Sequence, residues 1–168
     1  FEVLYWTGIR EGELLALTYD DFDFEDKTIS ITKTYQVVKG KEIVGPPKTG
    51  KGIRIVNMPD RLNDEMKDYF KMCYDKSNTR AFSTQKSQLT RAFKRGAKRS
   101  GIKPIRIHDI RHSHISLLIN LGFSPVDIAK RVGHESITIT LRYAHMFPNV
   151  QNQMMNKLNK LMQVEKED

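Results

Sequence analysis

Thirty-seven residues, Ile107 to Tyr143, constrain this chain more than any other stretch: IHDIRHSHISLLINLGFSPVDIAKRVGHESITITLRY. Three polar groups, His108, Arg111 and His112, crowd its start. The residues that follow are apolar at helical spacing, Ile115, Leu118, Ile119 and Leu121, until Gly122 interrupts them. A second helix should open at Ser124 and Pro125, because a serine hydroxyl caps free backbone N–H groups and proline fits a first turn. Gly133 should end it, since glycine enters the left-handed conformation readily, and His134 follows at once. A third helical run then carries Arg142 and Tyr143. Imidazoles, a guanidinium and a phenol therefore stand at helix ends and turns, where side chains from different elements can converge.

The remainder of the chain reads as scaffold and as a supply of further cations. An apolar helix over Phe1 to Trp6 stops at Thr7-Gly8, and good helix formers run from Arg10 to Leu17. The acidic segment TYDDFDFEDK reads as a loop. Thr28 to Val38 is β-branched and partly alternating, as a single strand would be. Lys39-Gly40-Lys41 makes a turn, Glu42 to Val44 a short strand, and Ile53 to Met58 the returning one. Between these last two, a Gly- and Pro-rich loop presents Lys48 and Lys51. A helix from Pro59-Asp60 to about Lys76 should bury Leu62, Met66, Tyr69, Phe70 and Cys73. A second, from about Thr84 to Ser100, turns Leu89, Phe93 and Ala97 inward. Its outer face carries five cations in nine residues: Arg91, Lys94, Arg95, Lys98 and Arg99. Beyond Pro148, residues 148–168 form an amphipathic tail helix whose stripe is Val150, Met154, Leu158 and Leu161, widened by Met155 and Met162. The fold class is α+β, mainly α-helical, with a small antiparallel three-stranded sheet.

At 168 residues the chain is long enough for one domain with a real core. Lys and Arg number 28 against 20 Asp and Glu, a net charge of +8 that suits a polyanionic partner. The lone cysteine, Cys73, excludes an internal disulfide and any cysteine-based zinc site. No apolar run approaches the roughly 20 residues of a membrane helix, so no membrane partner is expected. The chain opens on Phe1 inside what reads as an ongoing helix, so it is expected to be a piece of a longer protein.

Two arginines, two histidines, a lysine and a tyrosine suit the chemistry of a phosphodiester. In such a reaction charge gathers on the non-bridging oxygens, and catalysis is largely positioning plus electrostatic stabilisation. Planar guanidinium groups hold two oxygens in fixed geometry. A tyrosine, with an ordinary pKa of about 10, becomes a nucleophile when a base or nearby cations assist it. Histidine can take that proton, and a protonated lysine can supply one to the departing oxygen. With enough fixed cations, neither a metal nor another cofactor is needed.

The motifs TGIREGELLAL, PPKTGKGIRIVNMP, HDIRHSH, VGH and a tyrosine nine residues after that histidine come in one order and spacing. In this the chain resembles the catalytic domain of the tyrosine recombinases, the phage-integrase family, from Phe1 to about Phe147. The resemblance implies Tyr143 as nucleophile with Arg10, Lys48, His108, Arg111 and His134 as its catalytic partners. Glu13 and His112 would have supporting roles. It also implies attack on a DNA phosphate, a 3′-phosphotyrosyl bond, a free 5′ hydroxyl and exchange of strands between duplexes. The long basic hairpin is similar to those of prophage and conjugative-transposon integrases. Further implications are a core-binding domain before Phe1, a homotetramer assembled on double-stranded attachment-site DNA through the tail, and accessory bending or directionality factors. The setting would be the bacterial cytoplasm, at the nucleoid when active.

Other readings stand beside this one. Lys51 could replace Lys48 as the hairpin lysine. His108, His112 and His114 could ligate zinc. The basic helix could be a solvated face instead of a phosphate-binding one, and the tail could fold back on its own domain. At the level of function, the alternatives are a type IB topoisomerase with the same tyrosine chemistry, or a DNA-binding module that has lost catalysis.

Overall fold

The computed structural model describes residues 1–47, 49–73 and 80–143, together with 145, 155, 156 and 158. Among them, seven helices and five strands run in this order: α1 (Glu2–Thr7), α2 (Glu11–Ala16), β1 (Phe22–Asp23), β2 (Thr28–Ile31), β3 (Thr34–Val38), β4 (Lys41–Gly45), β5 (Arg54–Asn57), α3 (Asp60–Met72), α4 (Lys86–Arg99), α5 (Ile107–Asn120), α6 (Pro125–Val132) and α7 (Ile137–Leu141).

Helices dominate and the sheets are small and antiparallel, but the strands are distributed differently from the sequence expectation. Residues 28–38 do not form one strand. They break after Ile31, so that β2 joins the sheet β1-β2-β5 while β3 pairs only with β4. The acidic segment read as a loop supplies the third strand, with Phe22 opposite Ile29. Aromatic burial explains this. Phe22 is buried and meets Phe70 edge-on at 4.9 Å, with Phe24 at 5.4 Å from the same ring, and such apolar area outweighs local acidity. The β3–β4 hairpin turns at Lys39 and Gly40, both with positive φ (49° and 78°), as a two-residue turn matched to strand twist requires.

In β5 the inward phase is Arg54, Val56 and Met58, leaving Ile53 and Ile55 exposed. An apolar-in reading of IRIVNM would assign the isoleucines inward. The ion pair that Arg54 makes, described below, decides the phase instead, because a one-residue slip would turn every side chain over.

The main core gathers Val3, Leu4 and Leu14 with Ile29, Ile31 and Val56 of the sheet and Leu62, Met66 and Phe70 of α3. On α4, Ala97 is buried while Leu89 and Phe93 pack against this core. The expected helix to about Lys76 ends at Met72, with Cys73 already extended at ψ 99°. A second, smaller cluster of Ile115, Ile119, Ile128 and Val132 joins α5 to α6, and Leu118 and Tyr143 pack on it. Each such aliphatic side chain contributes roughly 1.5–3 kcal/mol, enough to hold the Tyr143 ring against a firm base. Ser124 Oγ caps α6 by accepting from Asp127 N at 3.2 Å, and Gly133 ends it at φ 69°. Of the tail, Met155 and Leu158 are exposed; Pro148, Val150, Met154, Leu161 and Met162 lie outside the described residues. No helix among the described residues is long and apolar enough to cross a membrane.

Candidate active site

The site is built where the N-terminus of α2, the start of α5 and the turns on either side of α7 meet. Arg10 caps α2. Its backbone N–H and its guanidinium both donate to Glu13, each at 2.8 Å, and its other amine donates to Gly133 O at 2.9 Å. The last bond ties the first arginine to the residue just before His134.

Behind Arg10, Glu13 is only 2% exposed and accepts from Arg54 as well, at 3.2 and 2.9 Å. Arg54 also donates to Gly52 O at 3.0 Å and to Arg131 O at 2.9 Å. Burial pushes the Glu13 carboxyl up, but the Arg54 hydrogen bonds, the Arg54 charge and Arg10 together outweigh it, so its pKa ends below the usual value. Sequence reasoning did not assign Arg54. The available signal was a lone cation at a buried phase of an alternating strand. Gly133 is confined between these groups, because a Cβ there would stand 2.8 Å from Arg54 Nη1.

Arg111 is 4% exposed. Its Nη1 donates to Gly8 O at 2.7 Å, while Nη2 is buried with no hydrogen-bond partner among the described residues. Burial and then the neighbouring Arg10 bring its pKa down to about 9, so it stays cationic at neutral pH. A buried guanidinium edge without an acceptor is costly, and an anion is what would satisfy it. Only glycine suits position 8 beneath this arginine, since φ there is 67° and a Cβ would strike His114 Cδ2.

His134 is buried and pairs through Nδ1 with Thr140 Oγ1 at 2.8 Å. Burial, then Arg111, Arg10 and Arg54, lower its pKa to about 4. His108 is exposed, and its pKa is lowered by partial burial and then by His112 and Arg111. Burial first, and the arginines after it, thus hold His134 neutral, and burial with His112 and Arg111 disfavours the charged form of His108, while Arg10 and Arg111 supply fixed positive charge.

Tyr143 follows α7 and is half-buried. Its hydroxyl is hydrogen-bonded to His112 Nδ1, a more direct contact than the supporting role expected for His112. The His108 and His112 rings meet edge-to-face at 4.9 Å. His114 is turned away: it is 2% exposed and accepts from Arg131 Nε at 3.2 Å. The three histidines therefore do not converge, and no cluster of metal-ligating side chains forms among the described residues.

A cleft of about 560 Å³, lined among others by Arg10, Glu13, Thr34, Lys86, His108 and Glu135, opens onto this group. Lys51 is exposed and donates to Glu135 O at 2.8 Å. Lys48 lies outside the described residues. Arg91, Lys94, Arg95, Lys98 and Arg99 are all exposed along α4, as their spacing predicted.

The model of the phage integrase family matches residues 1–149. The chain belongs to this family. The ICEBs1 integrase of Bacillus subtilis (strain 168) is 32% identical over 177 residues, covering 96% of this chain and 48% of the relative. The integrase of Staphylococcus phage L54a is 31% identical over 180 residues, covering 96% of this chain and 51% of that protein. The chain thus spans about half the length of the curated relatives it matches. Among solved structures, the Tn1549 transposon integrase in complex with a circular intermediate DNA superposes with a TM-score of 0.79 at 22% identity, covering 95% of this chain and 57% of that one. XerA recombinase gives 0.71 at 24% identity, over 93% and 55%. At these identities the likeness is one of fold, the phage-integrase catalytic fold.

The neutral, buried histidines of this family member give stability a pH signature. Burial and then the Arg131 charge bring His114 to about 4 from its ordinary 6.5. The unfolded chain therefore binds protons that the fold refuses. Stability is full above about pH 6.5 and is lost as pH falls toward 4, by roughly 2–3 kcal/mol for each of His114 and His134. In His114→Gln, which still offers Arg131 an acceptor, denaturant melts between pH 6.5 and 4 should show about half the wild-type loss.

Proposed function

We propose that this chain is the catalytic unit of a site-specific DNA recombinase, the integrase of a mobile element. Tyr143 attacks a DNA phosphodiester and forms a 3′-phosphotyrosyl bond. A 5′ hydroxyl from a second duplex then attacks that bond and exchanges the strands. The observation that carries this reading is the unpartnered Nη2 edge of Arg111, buried in a guanidinium-lined site with Tyr143 anchored close by. Arg10 is held in place by Glu13 and Gly133 to share the phosphate charge. His134, neutral at physiological pH, and His108 act as hydrogen-bond partners of the phosphate. The proton for the departing 5′ oxygen comes from Lys48, by the match of its motif to the family's hairpin lysine.

The exposed cations of α4, Arg91, Lys94, Arg95, Lys98 and Arg99, follow the DNA backbone, as does Lys51. Four copies assemble on paired attachment sites through the tail after Phe147, with a core-binding domain on the far side of the duplex and accessory bending or directionality factors. The work is done on chromosomal DNA in the bacterial cytoplasm. Full-length protein incubated with two attachment sites should yield recombinant junctions. Relaxation of supercoils without any junction would assign the site to a topoisomerase instead.

Because fixed guanidinium groups supply the charge that metals supply in two-metal nucleases, cleavage should be indifferent to chelation. Millimolar EDTA should change the cleavage rate by less than about twofold, within the scatter of such assays. Activity lost to EDTA and restored by zinc or magnesium would contradict this.

A further inference from the structure

A tyrosine hydroxyl is a poor nucleophile until it loses its proton, and this site does not remove that proton by electrostatics alone. Burial raises the Tyr143 pKa above its ordinary value, and Arg111 and Arg142 only partly counter it. A base in contact with the hydroxyl is required. Of the site's histidines, His134 has its Nδ1 engaged with Thr140, and the His108 ring packs edge-to-face on that of His112. The contact on Tyr143 Oη belongs to His112 Nδ1.

Resting on the recombinase reading above, we infer that His112 is the catalytic base that takes the Tyr143 proton and returns it when the strand is resealed. The geometry is set by the helix. Residues 108, 111 and 112 stand three and four apart on α5, so His108, Arg111 and His112 share one face. Arg111 is anchored on Gly8 O, while the next residue meets the tyrosine. For Nδ1 to accept from the phenol, the imidazole carries its hydrogen on Nε2.

In the forward step the Oη–phosphorus bond forms as the Oη proton passes to His112 Nδ1. The phosphorus–O5′ bond breaks, its electron pair leaves on the 5′ oxygen, and that oxygen takes a proton from the lysine ammonium proposed above. In the second step the attacking 5′ hydroxyl gives its proton back to that lysine. The imidazolium returns its proton to Oη as the phosphotyrosyl bond breaks. His112 is then neutral for the next cycle.

The charged and titratable groups around His112 are His108, Asp109 and Arg111 on its own helix, His134 after α6, and Arg142 and Tyr143 after α7. The test uses full-length protein and a nicked suicide duplex cut from the attachment repeat flanking its gene. Single-turnover attachment is followed against pH for wild type, His112→Gln, His112→Ala and Tyr143→Phe. His112→Gln keeps a hydrogen-bonding group near the hydroxyl but cannot take up its proton. It should slow attachment by on the order of 100-fold or more with unchanged DNA affinity. Its pH profile should also differ from that of wild type. For His112→Ala, added imidazole should restore part of the rate, which a merely structural role would not allow. A His112→Gln rate within about threefold of wild type, with the same pH profile, would overturn the base assignment and leave the recombinase reading intact. Adduct persisting in Tyr143→Phe, or none in wild type, would overturn that reading and this inference with it.

Discussion

Glu13→Ala is expected to destabilise the fold by roughly 3–5 kcal/mol, the cost of leaving a buried cation without its counter-charge. Glu13 is 2% exposed and the Arg54 side chain 7%, and two hydrogen bonds join them. Removing the carboxylate orphans Arg54 between α2, β5 and α6 and frees Arg10 from the cap that orients it. Against a total stability of about 5–15 kcal/mol, such a loss should appear as a large drop in the denaturant midpoint. Glu13→Gln should fall between wild type and Glu13→Ala, since an amide oxygen can still accept from one guanidinium. A melt of Glu13→Ala within about 1 kcal/mol of wild type would mean that Arg54 finds another anion or reaches water.

Arg111→Met should have the opposite balance. Arg111 has a buried Nη2 without a partner among the described residues and a pKa brought down to about 9 by burial and Arg10. An apolar side chain of similar length removes that penalty while orphaning only Gly8 O. Replacing a poorly compensated buried charge by a packed hydrophobe is often neutral or stabilising. The melting temperature should therefore stay level or rise. Covalent attachment to DNA should fall by about 10²–10³-fold or more, the scale set by losing one preorganised donor to a developing oxyanion. Stability held while activity collapses is the signature of a residue kept for the anion it binds. Arg111→Lys should not rescue the rate, because an ammonium cannot hold Gly8 O and a phosphate in one plane.

These two residues also show how far the sequence alone reaches. Arg111 stands in a motif whose order and spacing are legible in the sequence, together with Arg10, His108, His134 and Tyr143. Helix ends at Gly8 and Gly133 are legible too, because glycine at a left-handed stop is a local, backbone-level signal. Partners in space are less so. The inward phase of β5 depends on Arg54 meeting Glu13, 41 residues away, and no local pattern announces that. The strand at Phe22 is hidden by the acidic residues around it, and partners distant in sequence, Phe70 among them, make its burial worthwhile. The protonation state of His134 is likewise invisible in sequence. Its low pKa arises from burial and from arginines capping α2, on α5 and on β5 that converge only in the folded chain.

The central claim is that Tyr143 becomes joined to DNA, and it can be measured directly. Full-length protein trapped on a nicked suicide duplex, digested with protease and sequenced by mass spectrometry, reports the modified residue and the linked end of the DNA. The expected result is a 3′-phosphoryl adduct on the peptide containing Tyr143, a free 5′ hydroxyl, and no adduct in Tyr143→Phe despite DNA binding comparable to wild type. An adduct on another residue, a 5′-linked phosphate, or an adduct that survives Tyr143→Phe would contradict it.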